Sequence, residues 1–236
     1  PLLCAAQMTP QYTADQGAIS LTHCKSFKHV FVHWAANHYA WPYVGYYDFF
    51  SSHTVLNEYD FAPLELLHFL LIELKLGRHY KGQFKITKRG AELLAHPQQL
   101  LMELVPYYMM NMDHSSYSRS GDQAVGNWDV WLNVLNVETE NGSTEIQLYE
   151  VFYGKLGDAP MAWRATSSFY CCVLRPLCWA GLLTAHQAQG DKRLEAAYFK
   201  TPLWPAWTPI ICGSCRYRLR SVMIGGSTTR GERVEG

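Results

Sequence analysis

The amino-acid sequence predicts a mainly α fold with short β-hairpins, an α+β arrangement of tandem winged-helix-like units. Three observations predict it. A long apolar segment at 63–77 carries helix signals at both ends, a Lys-Gly turn follows it between two short extended segments, and looser copies of this pattern occur elsewhere. Because so apolar a helix needs cover on its flanks, the hairpin is expected to pack against it.

The clearest element is the helix at 63–77. Pro63 suits a first helical turn and Gly77 suits a helix end. Its leucines recur at helical spacing, so one face should enter the core. The side chains expected to be buried are Leu67, Leu70, Leu71 and Leu74, together with Phe27 and Trp34.

The hairpin is expected directly after this helix. Segments 78–81 and 83–87 have strand character, and Gly82 separates them. Further along, 91–95 should form one or two helical turns and 98–110 a longer helix that contains a proline. A helix followed by strand, tight turn and strand forms the second half of a winged helix.

The same pattern recurs twice in a looser form. Segment 17–22 parallels 82–87, because both place apolar residues one and three positions before a Thr. Thr22 can cap the helix that follows. That helix is expected to place Phe27, Val30, Phe31 and Trp34 on one face. A third copy combines a helix at 167–183 with a long wing at 183–200. The spacing is uneven, which favours tandem units over a solenoid.

The second half has its own local signals. A short helix is expected at 128–135, and Thr144 with Gln147 predicts a capping box for a helix to about Tyr153, with a strand at 145–152 as the alternative. The predicted organisation is an N-terminal helical unit with the first hairpin at 1–112, a linker at 113–126, a second winged-helix-like unit at 127–210 and a basic, disordered tail at 211–236.

Three groups of residues resemble a known family. They are segment 55–64, segment 86–90 with His96-Pro97, and segment 174–177 with 200–204. Together they resemble a family of uncharacterised bacterial proteins with winged-helix-like repeats that travel on plasmids and integron gene cassettes. The resemblance spans about 19–207. It implies fold and distribution, and it brings no catalytic residues.

Composition excludes several classes of protein. Hydrophobic residues are 48% of the chain and charged residues 17%, which argues against a disordered chain, a coiled coil and a collagen-like chain. Lys plus Arg equals Asp plus Glu, so no overall charge attracts nucleic acid or membrane. The stretch at 166–185 is the most membrane-like, but it contains Arg175 and Pro176 and fits a buried helix better.

The cysteines and the N-terminus favour a cytoplasmic protein. Seven cysteines at irregular spacing do not form the framework of a small secreted domain. The first residues lack the charged leader and apolar core of a secretion signal.

Candidates for metal or catalytic chemistry are weak. His29 and His33 lie four residues apart on a predicted helix with His38 beyond them, and Asp48 and His53 are the only candidates for a third ligand. Cys212 and Cys215 form a lone CxxC in the tail, where a structural zinc site would need two such pairs. The chain shows no phosphate-binding glycine loop and no serine elbow. We therefore expect no metal, no cofactor, no identifiable small-molecule substrate and no enzyme activity.

The first hairpin is basic. Between 72 and 89 there are six basic residues and one acidic residue, and the candidate contacts to nucleic-acid phosphates are Lys81, Lys85, Lys88 and Arg89. An ordinary solvated hairpin is the competing interpretation. The opposite charge gathers between 121 and 154, where six carboxylates occur without Lys or Arg and predict a solvated acidic face.

An aromatic segment at 41–50 is the candidate protein interface. Its candidate anchors are Trp41, Tyr43, Tyr46 and Tyr47, because aromatic residues are enriched at interface cores. Internal packing between the units is the alternative. The favoured function is a non-enzymatic protein-interaction or structural module, with possible self-association. The alternative is weak, largely sequence-independent DNA binding through the basic wing, because the helix at 63–77 lacks the side chains that read bases.

Overall fold

The computed structural model describes residues 1–42, 55–118, 121–157, 162–186 and 196–207. Helices dominate, and the strands are short, which confirms the predicted mainly α, mixed α+β class. The helices are α1 (Leu2–Gln16), α2 (His29–His38), α3 (Ala62–Glu73), α4 (Lys88–Leu94), α5 (Pro97–Asn111), α6 (Trp128–Glu138), α7 (Glu145–Tyr153), α8 (Ala162–Phe169) and α9 (Arg175–Ala180). The strands are β1 (Ile19–Ser20), β2 (Gly77–Tyr80), β3 (Gln83–Ile86), β4 (Ser143–Thr144), β5 (Leu183–His186) and β6 (Ala197–Lys200).

Two three-stranded antiparallel sheets organise the described residues. Their strand orders are β1-β3-β2 and β4-β6-β5. The first half contains the sheet β1-β3-β2 and the second half the sheet β4-β6-β5. In each half a helix precedes the first strand, further helices follow that strand, and a β-hairpin comes after them. The two halves therefore repeat one order of elements, with the third strand of each set in the middle of its sheet.

This topology corrects the expectation of three copies. Segments 17–22 and 82–87 do not head separate hairpins, because they pair with each other: Ile19 lies opposite Phe84 and Ser20 opposite Gln83. Strands that share one buried face need the same apolar alternation, so their similar sequences reflect a shared sheet. The third copy is the hairpin of the second sheet.

Helix α1 was not predicted. It contains Pro10 and several polar residues, and its apolar positions are mostly small. Leu2, Ala5 and Ala6 are nevertheless buried, and Thr9 is buried with its hydroxyl 2.9 Å from that of Tyr39. Small side chains let α1 approach the rest of the core closely, a property that hydrophobic periodicity does not reveal.

The segment after β1 also differs from the prediction. Thr22 does not cap a helix; it closes a turn in which its hydroxyl accepts a hydrogen bond from the Ser26 amide. Helix α2 begins at His29, so Phe27 precedes it and is buried beside β1. Val30 consequently points to solvent, with 62% of its surface exposed. The prediction that four apolar residues share one face of this helix was therefore wrong for Phe27 and Val30.

Helix α3 ends four residues before the predicted stop. The chain leaves the helix at Leu74 and Lys75, where φ reaches 58° at Lys75. Gly77 is instead the first residue of β2, and the Phe84 ring lies where a Cβ at Gly77 would stand. Glycine is required at position 77 because any side chain there would collide with the Phe84 ring, so this residue serves packing in β2 and does not end the helix.

The predicted core of this region is largely confirmed. Leu67, Leu70 and Leu71 are fully buried and Phe27 is nearly so. The exceptions are Leu74 and Trp34, which are only half-buried. Leu74 lies at the C-terminal cap of α3, and Trp34 stacks on Phe31 at the edge of the core.

The second half confirms the capping box. The Thr144 hydroxyl accepts a hydrogen bond from the Gln147 amide while the Gln147 side chain accepts one from the Thr144 amide, so α7 is a helix and the strand alternative at 145–152 was wrong. The helix expected at 128–135 is α6. The long helix expected at 167–183 runs from Ala162 to Ala180 as α8, one π-helical segment (Tyr170–Leu174) and α9. This wider turn lies immediately before Pro176, which lacks an N–H.

The segment proposed as a linker contains local structure. A short 3-10 helix spans His114–Tyr117, and His114 and Ser115 are buried. The division of the chain at 113–126 stays a prediction. Within the described parts of the chain, no helix is long and apolar enough to cross a membrane.

Candidate functional site

The β2–β3 hairpin presents one face to solvent. Its turn places Lys81 and Gly82 at φ of 48° and 72°, the conformation that joins two strands through two residues. Arg78 lies opposite Lys85 and Tyr80 opposite Gln83. Because directly opposed residues share a face, these side chains lie on one side of the sheet. Phe84 faces the core on the other side.

Three cations surround Tyr80 on this face. The guanidinium of Arg78 and the ammonium groups of Lys81 and Lys85 each lie 5.4 Å from the centre of the Tyr80 ring. The ring itself is 44% exposed. Among the residues that the structure describes, no carboxylate forms an ion pair with these three cations. We call Arg78, Tyr80, Lys81 and Lys85 the basic hairpin face.

The other two predicted phosphate contacts lie apart from this face. Lys88 is exposed at the first position of α4. Arg89 turns back on the protein, where its guanidinium donates to the carbonyl oxygen of Leu74 and pairs with Glu103. The structure therefore brings Lys81 and Lys85 together with Arg78, a residue that the sequence analysis counted as basic but did not select.

A buried carboxylate and two histidines lie behind the hairpin. Glu58 precedes α3, His68 lies within α3 and His79 lies in β2. Nδ1 of His68 lies 2.6 Å from Oε1 of Glu58, and Nε2 of His68 lies 2.8 Å from Nε2 of His79. The other Glu58 oxygen accepts the backbone N–H of Phe27. We call Glu58, His68 and His79 the carboxylate–histidine chain.

Aromatic packing fixes the central ring of this chain. The Phe27 ring stacks on His68 at 3.8 Å with 17° between the planes, and Phe84 meets it edge-on. Glu58 and His68 are 4% and 7% exposed, whereas His79 reaches solvent. The chain therefore runs from a buried carboxylate to the surface.

An open pocket of about 310 Å³ gives access to the chain. The residues that line it are Cys24, Lys25, Ser26, Glu58, Tyr59, Glu65, His68, Phe69, Ile72 and His79. Burial lowers the pKa of His79, and the charges of His68 and Lys25 lower it further against the opposing effect of Glu58. Burial and the charge of Glu58 raise the pKa of Glu65.

The sequence analysis missed this chain. One signal was present: His68 stands four residues after Leu64 and three before Leu71, so it shares the buried face of an apolar helix. A polar side chain at such a position needs a hydrogen-bond partner. Its partners come from β2 and from the segment before α3, and no local pattern identifies them.

Among the residues that the structure describes, no further metal ligand joins the histidine pair on α2. The ring centres of His29 and His33 are 6.3 Å apart. Nε2 of His33 lies 3.4 Å from the backbone nitrogen of Leu56. Over the described ranges, no group of three or more histidine, cysteine or acidic residues could hold a metal ion. Asp48, His53, Cys212 and Cys215 lie outside those ranges.

Trp41 is not an exposed interface anchor. It is 6% exposed and meets Trp179 edge-on with 5.5 Å between ring centres. Its ring therefore joins the two halves internally, as the alternative interpretation of the aromatic segment expected. The other candidate anchors, Tyr43, Tyr46 and Tyr47, lie outside the described residues.

The acidic stretch is not a uniform solvated face. Asp122 forms a two-pronged ion pair with Arg164, at 2.8 and 2.9 Å, and Glu140 pairs with Lys200. Glu145 is fully buried. The basic partners Arg164 and Lys200 lie in α8 and β6, far away in the sequence. Counting charges within 121–154 alone therefore overestimated the negative charge of this surface.

These features define a mainly α protein of two helix-and-hairpin units, the first with an exposed basic face and a buried carboxylate–histidine chain. The polypeptide belongs to the y4jL family: residues 1–99 match the Y4jL N-terminal domain, and residues 118–202 match the y4jL C-terminal domain.

A relative in Sinorhizobium fredii (strain NBRC 101917 / NGR234), named "Uncharacterized protein y4jL", is 34% identical over 157 residues, covering 65% of this chain and 70% of the relative. No solved structure matches the chain. Membership of an uncharacterised family is thus confirmed, while travel on plasmids and integron cassettes stays a prediction.

Proposed function

We propose that this protein is a non-enzymatic, winged-helix-like protein that binds the phosphate backbone of DNA weakly through the basic hairpin face. The observation that carries the proposal is the set of three cations around the exposed Tyr80 ring. Cations on one protruding face can neutralise neighbouring phosphates and release their counterions. The repeated element order and the central third strand of each sheet support the winged-helix likeness.

The binding should be blind to sequence. Reading bases in the major groove needs an exposed helix with donor and acceptor side chains. In α3, the helix before the wing, most side chains are buried, including Leu64, Leu67 and Leu71. Its polar residue His68 is held in the carboxylate–histidine chain. The hairpin can therefore contact the backbone while α3 stays in the core.

A salt-titrated binding assay with mixed-sequence duplex DNA tests the proposal. Three phosphate contacts predict that the logarithm of affinity falls with the logarithm of salt at a slope of about −2 to −3. The variant Lys81→Glu/Lys85→Glu should lose binding equally for all sequences. Its matched control is Lys28→Glu/Lys155→Glu, which changes the net charge equally at exposed positions elsewhere and should retain most binding.

Two results would contradict the proposal. One is equal loss of binding in both double variants, which would show that only overall charge matters. The other is a selected duplex bound about a thousandfold more tightly than random DNA at physiological salt, as expected of a specific binder.

A protein-interaction module is the second candidate function, and helix α6 favours it. Val130 and Val137 are 49% and 67% exposed and, with the half-buried Val134, form an apolar stripe on one helix face. Self-association through the stripe would raise the solution mass with concentration, and Val137→Asp should abolish the rise while the neighbouring Asn133→Asp should not. A monomeric mass at all concentrations would contradict self-association. Either function accords with the cytoplasmic location expected from the sequence.

A further inference from the structure

The carboxylate–histidine chain adds side-chain hydrogen bonds between α3, the segment before it and the hairpin. His68 holds Glu58 on one side and His79 on the other, so α3 is linked to the segment before it and to β2 of the hairpin. Glu58 in turn accepts the N–H of Phe27, beside β1. The three linked side chains thus hold β2 to α3 at a point one residue pair from the hairpin turn.

The number of protons in the chain is limited by its geometry. A carboxylate only accepts hydrogen bonds, so His68 donates Nδ1–H to Glu58. The contact between the two Nε2 atoms then needs one proton shared between two nitrogens. It survives with both rings neutral or with one ring charged. When both rings are charged, two N–H groups face each other at 2.8 Å, and the contact must break.

We propose that Glu58, His68 and His79 form a proton-operated latch that holds the β2–β3 hairpin against α3 and opens when both histidine rings carry a positive charge. The incoming proton comes from solvent and binds Nε2 of His79, the nitrogen that accepts the Nε2–H of His68 in the singly charged latch. Both Nε2 atoms then carry a proton. Repulsion between the rings, and the loss of the nitrogen–nitrogen hydrogen bond, then free β2 from α3.

The surroundings of His79 oppose its charged form. Burial is the main cause that lowers the pKa of His79, the charges of His68 and Lys25 lower it further, and the charge of Glu58 raises it. The titratable or charged groups that line the same pocket, from α3, the segment before it and the turn after β1, are Cys24, Lys25, Glu58, Tyr59, Glu65 and His68. Because the closed latch lowers the pKa of His79, an unfolded or open His79 binds its proton more tightly. The latch therefore weakens as pH falls below the ordinary histidine range.

Amide hydrogen exchange in the full-length protein measures how often the hairpin opens away from α3. The exchange rate of the β2–β3 amides is taken relative to that of the β5–β6 amides, which cancels the intrinsic pH dependence and any global unfolding. The relative rate should rise as pH falls from about 7.5 to 5, by at most about tenfold per pH unit for one proton. Side-chain nitrogen spectra should show His79 titrating below its value in the urea-unfolded chain.

His79→Gln is the decisive variant, because its side-chain amide can donate or accept a hydrogen bond at His68 but cannot take up a proton. It should make the relative exchange rate independent of pH. A matched control is His96→Gln at an exposed histidine in the same half, which should keep the wild-type pH profile. The latch is refuted if His79→Gln retains the wild-type pH profile, or if His79 titrates at or above its unfolded value. If His79→Gln loosens the hairpin at every pH, the flat profile still supports the latch.

Discussion

Arg175 shows how one side chain joins segments that are far apart in the sequence. It lies at the end of the π-helical segment, and its guanidinium donates to the carbonyl oxygens of Tyr117 and His114, at 3.1 and 3.4 Å. The same group lies over the rings of Tyr117 and Trp179. A planar guanidinium can donate to two carbonyl oxygens and stack on aromatic rings in one fixed geometry, which a compact ammonium group does not reproduce.

Arg175→Lys should therefore destabilise the protein although it keeps the charge. We expect a loss of about 1.5–3 kcal/mol in the free energy of unfolding, the range for hydrogen bonds to charged groups. Urea denaturation measures it. Arg164→Lys is the control, since the side chains of its ion pair with Asp122 are more than a third exposed and the substitution should cost less than about 1 kcal/mol. Equal effects of the two substitutions would mean that the contacts of Arg175 add nothing specific.

At the scale of elements, α3 is held by burial on several sides. Leu64, Leu66 and Leu70 are fully buried although they spread over about 160° of the helix circumference. Phe69, between them, is 44% exposed beside the open pocket. The helix thus presents only a narrow side to solvent, and its leucines account for much of the first core.

Leu70→Ala should create a cavity in this core. The expected cost is about 2–5 kcal/mol in the free energy of unfolding, because the lost contacts and the residual void both contribute. Phe69→Ala on the same helix should cost less than half as much. Thermal or urea denaturation compares the two variants. A cost under about half a kcal/mol for Leu70→Ala, the usual range for surface substitutions, would show that this face is not packed as described.

At the scale of the molecule, one hydrophobic core runs through both halves. Helix α1 packs on α3, α4 and α5 of the first half and also on α9 of the second. Trp41 and Trp179 meet across the same boundary. Buried contacts of this kind couple the halves energetically, even though each has its own sheet.

The two halves should consequently unfold together. Helical circular dichroism and tryptophan fluorescence, with tryptophans in both halves, should give coincident urea transitions. Leu104→Ala, at a fully buried position of α5, should shift both transitions equally. Two separated transitions, with only one of them shifted, would show that the halves unfold independently.

Local signals predicted the elements whose stabilising contacts are themselves local. The Lys81-Gly82 turn requires a positive φ at two adjacent residues, and the Thr144–Gln147 capping box lies within four residues, so both could be recognised from the sequence. Helix α1 could not, because it is held by close packing of small residues against four other helices. Val30 was misplaced because the preceding turn, which sets where α2 begins, depends on pairing with another strand.

The sequence by itself determined the mainly α class, the basic hairpin and the burial of the α3 leucines, because composition, turn chemistry and helical spacing act over a few residues. The tertiary structure alone decided which cations share a face with Tyr80, that Arg164 and Lys200 neutralise part of the acidic stretch, and that His68 meets Glu58 and His79. The ion pairs and the histidine contacts among these join residues 10 to 60 positions apart, and the cations around Tyr80 depend on the strand register of the hairpin. Charge pairs and hydrogen bonds act over a few ångströms in space, and separation along the chain does not fix that distance.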